Sequence, residues 1–584
     1  MTSHITRRAV ASIGALTLVL GVAACGSGKN DSASTPATTP PTSAVETGAS
    51  TPETSGEAPT SEPGTGGETT SPETGGGTTP AAGVVKIGTT DKVVALDPAG
   101  SYDNGSLLLE IQLYQFLMSV PIGEKTPQPD AAEKCDFATP TTYTCTIKDG
   151  LTFSNGDPLT SEDVRFSFQR VLDIADPNGP SSLLANLDKV EAPDAKTVTF
   201  TLKTGNDQTF PFVLGTSAGP IVDSKVFPKD ALLSDEAVIG SGPYKLGNYQ
   251  KNQLAELTAR EGYIGNAGQV KNSSAIVQYF TEASNLKLAI ENGDVDVAWR
   301  SLDTQSIDDL KTNPAVQVKE GPGGEIRYIV FNLKTQPGDT EEGKRAVRRA
   351  VAYTVDRQAI ADKIYKGTYS PLYSMVPDGL PGHLDALKTE FGDAPDAAKA
   401  KSELEAAGVA TPVALSLQYS PDHYGPSSDQ EYNEIKRQLE DTGLFKVSLQ
   451  ATEWVQYSKD RTSDVYPAYQ LGWFPDFPDA DNYLSPFLVE GNFLGAHYCD
   501  KGATDRPCDT DGVLPLLKTE QTESGDARVK AIEEIQTATT KGTLPTVPLL
   551  QGKQIAIVKT GVTGVEDTLD ASFLFRFWAI GAAS

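Results

Sequence analysis

Hydrophobic and polar residues follow two different periods along most of the chain, and these periods predict both strands and helices. Residues 142–153 alternate β-forming with polar positions, which is typical of a half-buried strand. Residues 341–366 carry valines on one helical stripe, begin with acidic residues and end before Gly367, which predicts a long amphipathic helix. Because strands and helices interleave from residue 84 onwards, we predict an α/β fold.

Capping and breaking signals predict further elements. A helix is expected to begin after Thr160, because Thr160 and Asp163 have the spacing of a capping box. Other strands are predicted at residues 84–88, 275–280, 415–419 and 469–473, and other helices at residues 107–118, 286–290, 395–407 and 527–539.

The first 25 residues have the pattern of an export signal. Arg7 and Arg8 precede a short, alanine-rich uncharged run that ends in Val-Ala-Ala-Cys at residues 22–25. This ending resembles the bacterial lipobox, so we predict a signal peptide over residues 1–24 and lipidation of Cys25. An ordinary signal peptide with an incidental Cys25 is the alternative. The arginine pair leaves both general and twin-arginine export open.

Residues 25–83 have a different composition from the rest of the chain. After Cys25 they consist almost entirely of Ser, Thr, Pro, Gly, Ala and Glu, which cannot bury enough apolar surface to fold. A flexible chain of this length has a root-mean-square reach of roughly 40 Å. We therefore predict a disordered linker that acts as a stalk. No later stretch approaches 18 consecutive apolar residues, so the lipid is the predicted membrane attachment.

Charge and histidine content exclude several classes of function. The formal net charge of −28 argues against nucleic acid as a partner and against a polybasic grip on anionic lipid. The chain has four histidines, one of them in the leader, so a histidine-rich metal site is not expected. We predict no metal and no cofactor.

The cysteines fall into three groups. Cys25 belongs to the lipobox, and the others form two close pairs, Cys135 with Cys145 and Cys499 with Cys508. Because close cysteine pairs usually oxidise outside the cytoplasm, we predict two disulfides. Four cysteines allow three pairings, of which we favour the nearest-neighbour one.

Seven short motifs follow one another along the folded part of the chain. They occupy residues 94–98, 145–170, 240–244, 293–296, 331–332, 347–357 and 472–482. In this order they resemble the family 5 extracellular solute-binding proteins of ABC importers, the peptide- and nickel-binding group. The most informative motif is the last, Gly472-Trp473 followed by Asp476, Asp479 and Asp481-Asn482.

The resemblance implies a two-lobed periplasmic-binding-protein-like fold of type II with a ligand cleft between the lobes. By position, lobe I should span residues 84–325, with an inserted subdomain at about 118–218. Lobe II should span residues 326–550, and residues 551–584 should return to lobe I. Two hinge strands, near 326–332 and 547–551, should absorb the movement of lobe closure.

The resemblance also points to candidate ligand-binding residues. In peptide-binding members, the aspartate that corresponds to Asp476 holds the free α-ammonium of the peptide, although here Asp476 could simply shape a turn. Trp473 and Phe474 should line the cleft beside it, with core packing as the alternative. Tyr102 and Asn104 lie in the loop after the first motif, which contacts ligand in relatives.

Three further candidates lie outside these two segments. Asn332 lies on a predicted hinge, where a structural role is equally natural. Arg300 and Arg327 could meet a ligand carboxylate, because a planar guanidinium suits bidentate recognition, although solvated arginines are commoner.

We therefore interpret the sequence as a monomeric, non-enzymatic lipoprotein. It should sit on the outer face of the bacterial cytoplasmic membrane, capture short peptides by hinge closure and deliver them to the transmembrane subunits of an ABC permease. A nickel chelate or another small solute is the alternative ligand, and a tethered receptor without a transport role is the alternative function. Residues 215–219 fit the G-x-S-x-G pattern of hydrolases, but Pro220 disfavours the helix that such a site requires.

Overall fold

The computed structural model of the chain describes residues 83–300, 302–425, 427–489 and 511–583. The predicted signal peptide, Cys25, the linker up to residue 82, and the pair Cys499 and Cys508 lie outside the described residues.

Seventeen strands are found among the described residues. They are β1 (Val84–Thr89), β2 (Met118–Ser119), β3 (Gln128–Pro129), β4 (Ala132–Thr139), β5 (Thr142–Ile147), β6 (Leu187–Glu191), β7 (Thr197–Leu202), β8 (Tyr244–Gln250), β9 (Leu254–Ala259), β10 (Ser274–Tyr279), β11 (Val297–Trp299), β12 (Val316–Phe331), β13 (Tyr369–Pro371), β14 (Val413–Tyr419), β15 (Phe445–Ala451), β16 (Ala468–Trp473) and β17 (Thr546–Lys559).

The described α-helices alternate with these strands. They are α1 (Asn104–Leu113), α2 (Ser161–Ile174), α3 (Phe210–Val213), α4 (Ala283–Asn292), α5 (Thr304–Leu310), α6 (Glu341–Thr354), α7 (Arg357–Lys363), α8 (Ala386–Phe391), α9 (Ala397–Ala406), α10 (Ser428–Asp441), α11 (Trp454–Thr462), α12 (Ser485–Leu488), α13 (Leu514–Thr522) and α14 (Gly525–Lys541).

One mixed sheet joins the two halves of the folded part. Its strands follow the order β15-β14-β16-β12-β17-β11-β1-β10-β9-β8, and β13 pairs with β17 outside this path. We call the half that contains β1 and β8–β11 lobe I, and the half that contains β13–β16 lobe II. Each lobe has a large buried apolar core of its own. A separate four-stranded sheet, β4-β5-β7-β6, and α2 enclose a third core in an inserted subdomain.

Strands β12 and β17 belong to both lobes. Residues 316–322 of β12 lie opposite residues 559–553 of β17 on the lobe I side, and residues 326–330 lie opposite 551–546 on the lobe II side. The register is interrupted between Pro322 and Ile326. The hinge segments expected from the sequence adjoin this interruption on its lobe II side.

Glycines allow the close backbone approach at this interruption. A Cβ atom on Gly323 would lie 2.2 Å from the carbonyl oxygen of Gly552, and one on Gly324 would lie 2.7 Å from the hydroxyl of Tyr483. Neither position leaves room for a side chain, so a larger residue would push the crossing strands or the neighbouring turn away.

Some element boundaries differ from the sequence predictions. The helix predicted over residues 341–366 is divided into α6 and α7, because the Asp356 side chain accepts a hydrogen bond from the Ala359 amide (2.8 Å) and caps a new helix. The strand predicted over residues 142–153 ends at Ile147, before a turn in which Gly150 has a φ of 79°. The helix predicted over residues 107–118 ends at Leu113, after which Tyr114 is extended.

Other local predictions are confirmed. Helix α2 begins directly after Thr160, where Asp163 accepts a hydrogen bond from the Thr160 amide (2.8 Å). Helix α4 ends at the left-handed Gly293, with a φ of 77°. Among the described helices, none combines the length and the apolar composition needed to cross a bilayer.

Cys135 and Cys145 face each other in the antiparallel pair β4–β5 of the subdomain, and a disulfide joins them. The bridge closes a loop with a sequence separation of 10 residues. On the chain-entropy model, such a loop adds about 2.5–3 kcal/mol to the free energy of unfolding.

We expect the double substitution Cys135→Ser/Cys145→Ser to destabilise the subdomain locally. Amide hydrogen exchange in β4, β5 and β7 should accelerate, because the reduced chain has more conformational freedom when it opens. Exchange measured by mass spectrometry on the parent, with and without reductant, is the control. Equal exchange in the double-serine variant and the oxidised parent would show that the bridge contributes nothing to stability.

Candidate functional site

Asn482 organises the segment that follows β16. Its side-chain oxygen accepts hydrogen bonds from the indole Nε1–H of Trp473 and from the amide of Asp476, both at 3.0 Å. Its side-chain Nδ2–H donates to Oδ2 of Asp476 (3.1 Å). Because Asn482 is buried, this arrangement fixes the position of the Asp476 carboxylate relative to the strand end.

The Asp476 carboxylate also receives a hydrogen bond from across the cleft. The hydroxyl of Tyr102 donates to its Oδ1 atom, and Tyr102 lies just before α1 in lobe I. Burial raises the pKa of Asp476, and the hydrogen bonds from Tyr102 and Asn482 oppose that rise. Burial and the neighbouring carboxylate raise the pKa of Tyr102, so its hydroxyl stays protonated and acts as the donor.

A cavity of about 630 Å³ lies between the lobes. Its volume is within the range of about 300–1,000 Å³ that is usual for small-molecule sites. Aromatic and charged side chains line the cavity, so it offers both apolar surface and groups that can form hydrogen bonds or ion pairs with a ligand. Its lining includes Arg300, Asp303, Thr304, Glu325, Arg327, Tyr365, Tyr369, Asp422, His423, Tyr424, Phe474, Lys553, Gln554 and Phe573.

Arg300 reaches the cavity from the end of β11. Its guanidinium carbon lies 5.3 Å from the ring centre of Trp299, 5.9 Å from that of Phe474 and 5.7 Å from that of Phe573. Asp91 is an acidic neighbour, with Oδ2 at 3.4 Å from Nη1. The backbone of Arg300 is left-handed, with a φ of 61°, a conformation that costs energy for a residue with a side chain.

Arg327 is buried on β12 and is more fully engaged. Its guanidinium donates to Glu325 (Nε to Oε1, 2.7 Å), to the Tyr369 hydroxyl (3.0 Å) and to the Tyr424 carbonyl (2.7 Å). Burial by itself would lower the pKa of Arg327, but the charge of Glu325 and its neighbours more than offsets this effect, so the pKa lies well above its usual value. Arg327 therefore acts first as the centre of an internal network.

The other predicted site residues line one or the other of two adjacent cavities, or neither. Phe474 lines the large cavity, whereas Asn104 and Asp476 line an adjacent cavity of about 30 Å³. Phe573 lines both cavities and lies edge-on to Phe474, with ring centres 6.1 Å apart. The ring of Phe573 therefore separates the large cavity from Asp476, the residue expected to bind a peptide ammonium.

Trp473 and Asn332 are not among the residues that line these two cavities. Trp473 packs edge-on against Phe487 at 5.3 Å and orients its indole towards Asn482. Asn332 is buried just beyond the end of β12, where its Nδ2–H donates to Asp464 (2.9 Å) and its backbone closes a turn. Trp473 therefore contacts Asn482 from outside the two cavities, and Asn332 occupies a structural position.

Several cavity residues were not singled out from the sequence. Glu325 and Phe573 carried no local signal, because only the folded chain brings them to the cleft. His423 also lines the cavity, with its ring stacked on Trp454 at 3.6 Å. Burial, followed by the charge of Arg327, lowers the pKa of His423, which favours a neutral ring. Asn482 belonged to a recognised motif, but its organising role depends on side-chain geometry.

Two other kinds of chemistry find no support in the described residues. No group of three or more His, Cys, Asp or Glu side chains that could hold a metal ion occurs among them. The G-x-S-x-G pattern at residues 215–219 follows the short helix α3 as a turn, rather than joining a strand to a helix. It therefore lacks the strand–turn–helix context of a nucleophile elbow.

Comparisons with known proteins agree with this architecture. Residues 126–495 match the family described as bacterial extracellular solute-binding proteins, family 5 middle. The chain is 29% identical to the probable D,D-dipeptide-binding periplasmic protein DdpA of Escherichia coli, over 68% of this chain and 76% of that protein. It is 26% identical to di/tripeptide-binding protein 1 of Pseudomonas aeruginosa, over 64% of this chain and 73% of that protein.

Solved structures give the fold independently. The crystal structure of the ABC transporter substrate-binding protein CtaP from Listeria monocytogenes superposes with a TM-score of 0.71, at 21% identity. The match covers 86% of this chain and all of that one. The predicted two-lobed α/β fold is confirmed. Because the family match covers more than half of its length, the chain belongs to the family 5 bacterial extracellular solute-binding proteins.

Proposed function

We propose that the chain captures short peptides in the cleft between its lobes and delivers them to the transmembrane subunits of an ABC importer. The observation that carries this proposal is the partly buried carboxylate of Asp476, which Asn482 orients and which faces a hydroxyl from the opposite lobe. The relatives described as dipeptide- and di/tripeptide-binding proteins support the same class of ligand.

Asp476 is suited to bind the α-ammonium of a peptide. A cation that leaves water needs a fixed anion, and a carboxylate already held by Asn482 loses little entropy when the ligand arrives. The Tyr102 hydroxyl occupies one carboxylate oxygen in this structure, where an ammonium would make a stronger, charge-assisted hydrogen bond. We assign about 1.5–3 kcal/mol to this contact.

Arg300 is the better partner for the peptide carboxylate. Arg327 already donates to three acceptors at 2.7–3.0 Å, so a ligand would have to compete with an internal network. Arg300 lies at the cavity wall, and its contact with Asp91 is longer, at 3.4 Å. A peptide that joins Asp476 on lobe II to Arg300 on lobe I would stabilise the closed arrangement of the lobes.

The proposed mechanism is binding and handover without covalent chemistry. The lobes would move about the register interruption between Pro322 and Ile326, because the two crossing strands are not paired in register there and can bend. The peptide would hold the lobes together until the monomeric protein docks on its permease. The peptide should leave the protein chemically unchanged.

We expect Asp476→Asn to weaken the binding of free-amine peptides by about 10- to 150-fold, the equivalent of one charge-assisted hydrogen bond. Affinity for the Nα-acetylated peptides should change little, because they bring no ammonium. Isothermal titration with a panel of di- to tetrapeptides measures both constants. Asp422→Asn, which removes an acid from the lining of the neighbouring large cavity, is the matched control and should not alter the ratio.

The same contact predicts how affinity depends on pH. The ammonium binds the ionised carboxylate, and burial raises the pKa of Asp476 above its ordinary value of 3.8. Affinity should therefore decline as the pH falls through this raised pKa, at a higher pH than an ordinary aspartate would produce. The decline should be absent in Asp476→Asn. Unchanged binding of free-amine peptides by this variant would refute the ammonium role of Asp476.

We expect Arg300→Gln to weaken the binding of peptides with a free carboxylate and to have little effect on their C-terminal amides. Lys553→Gln, at the same cavity but paired with Glu320 at 2.9 Å, is the control. The Kd ratio between acid and amide forms reports the contact directly. If the ratio survives in Arg300→Gln, the carboxylate is held by another residue.

We also propose that Cys25 carries the lipid that holds the protein at the outer face of the cytoplasmic membrane. Two or more acyl chains give stable attachment where a single chain does not. Cys25→Ser should therefore move the protein from the membrane fraction to the soluble fraction and remove the mass of the lipid. A membrane-bound Cys25→Ser protein without added lipid mass would contradict the anchor.

A further inference from the structure

We propose that Arg528, on α14, is a positioning residue for the ligand-binding carboxylate. Arg528 fixes Asp479, Asp479 shapes the turn that carries Asn482, and Asn482 orients Asp476. The inference rests on the proposed role of Asp476 as the receptor for a peptide α-ammonium. It concerns a residue that lies outside the described lining of both cleft cavities.

The first link is a bidentate ion pair. Nη1 of Arg528 donates to Oδ2 of Asp479 at 2.8 Å, and Nη2 donates to Oδ1 at 2.6 Å. The remaining nitrogen, Nε, donates to the carbonyl of Glu520 at 2.7 Å. The two side chains are only 13% and 4% exposed, so solvent screens the pair weakly. The guanidinium therefore fixes both the position and the plane of the Asp479 carboxylate.

The second link is the turn that Asp479 begins. Its Oδ1 atom also accepts the amide of Asp481 (2.9 Å), which caps the short helix Ala480–Tyr483. Its carbonyl accepts the amide of Asn482 (3.2 Å). Asp479 thus holds Asn482 through the backbone, while Arg528 holds Asp479 through its side chain.

The turn is fixed at its other end by the crossing strands. The Tyr483 hydroxyl donates to the carbonyl of Gly324 (2.7 Å), within the register interruption of β12. The Asp476 carboxylate is consequently held between a helix of lobe II and the strand that connects the lobes. Loss of the Arg528 contact would remove the ion pair that holds the start of this turn.

Acidic side chains lie close to Arg528. Its Nη2 atom lies 2.6 Å from Asp479 and 3.3 Å from Glu520, while Ser485 donates to Asp481 and Gln521 donates to Ser485 (2.9 Å). Burial, and then the charge of Asp481, raises the pKa of Glu520 to about 11, so this carboxyl keeps its proton at neutral pH. Without the guanidinium, the buried Asp479 carboxylate would have lost its paired cation.

The test compares free-amine and Nα-acetylated forms of the tightest peptide from the di- to tetrapeptide panel. In the parent, the free amine should bind at least about tenfold more tightly. In Arg528→Met, this preference should fall towards unity, with the loss confined to the free-amine form. Asp479→Asn should reproduce the loss. Arg528→Lys, which keeps the charge without the bidentate geometry, should restore part of the preference.

Arg349→Met is the matched control. Arg349 forms a comparable pair in lobe II, with Nη2 at 2.8 Å from Glu390 and 3.0 Å from Glu403, but lies on α6. Its loss should lower the melting temperature and leave the free-amine preference unchanged. A general loss of stability in Arg528→Met would affect both peptide forms equally, which separates positioning from simple structural support.

Each result has a distinct meaning. If the parent shows no preference for the free amine, the ammonium role of Asp476 fails and the inference fails with it. If the parent shows the preference and folded Arg528→Met keeps it, only the positioning role is overturned. If Arg528→Met does not fold, Asp479→Asn decides, because it removes the ion pair with Arg528 and one of its two hydrogen bonds, and a parent-like preference in that variant overturns the proposal. Combining Arg528→Met with Asp476→Asn should add no further loss.

Discussion

The antiparallel pairing of β12 with β17 is the constraint on which the rest of the structure depends. These strands are the shared element of the two lobes, and their register is interrupted where the lobes meet. At the interruption, backbone lies directly against backbone where a Cβ atom on Gly323 would meet the Gly552 carbonyl oxygen at 2.2 Å, and Gly324 is enclosed by the side chains of Pro475 and Tyr483. A second register shift follows between Arg327 and Tyr328. Glu325 and Arg327 of this irregular stretch line the large cavity, so the cleft lies beside the point where the shared strands depart from regular pairing.

Buried charges around the cleft are held by neighbours rather than by solvent. Arg327 is enclosed by Glu325, Tyr369 and Tyr424, and Asp479 is enclosed by Arg528 and its own turn. Such groups are costly to bury unless every contact is made, so each network specifies one geometry. Asp476 is the instructive case, since its fixed partner Asn482 leaves an oxygen that meets the opposite lobe.

The motifs allowed the family, the two-lobed fold and the neighbourhood of Asp476 to be predicted from the sequence. They did so because the segment at residues 472–482 combines a strand end, a turn and its polar contacts in one short stretch. Element boundaries were less predictable. The division between α6 and α7 depends on Asp356 acting as a cap, and neither a glycine nor a proline marks that division in the sequence.

Residues that reach the cleft through the fold could not be identified in the same way. Phe573 lines the cavity from the C-terminal segment and has a left-handed backbone, with a φ of 61°. No local sequence pattern predicts either feature. Arg300 and Arg327 looked equivalent as isolated arginines, yet one faces aromatic rings and the other is enclosed by acceptors. Asn332 carried a family motif and lies in a structural position. Long-range packing decides such roles, and spacing along the chain does not report it.

The hydrogen bond from Tyr102 to Asp476 has a consequence for the speed of delivery. A carboxylate that accepts a hydrogen bond from within the protein is not left without a partner when the ligand dissociates, so the free-energy cost of dissociation is smaller. In the proposed mechanism, Tyr102 competes with the peptide ammonium for Asp476, which would lower the equilibrium affinity and ease dissociation. A carrier works in cycles, and very tight retention would make release the slowest step of each cycle. An internal donor that replaces the ammonium would let the proposed site combine selectivity with rapid release.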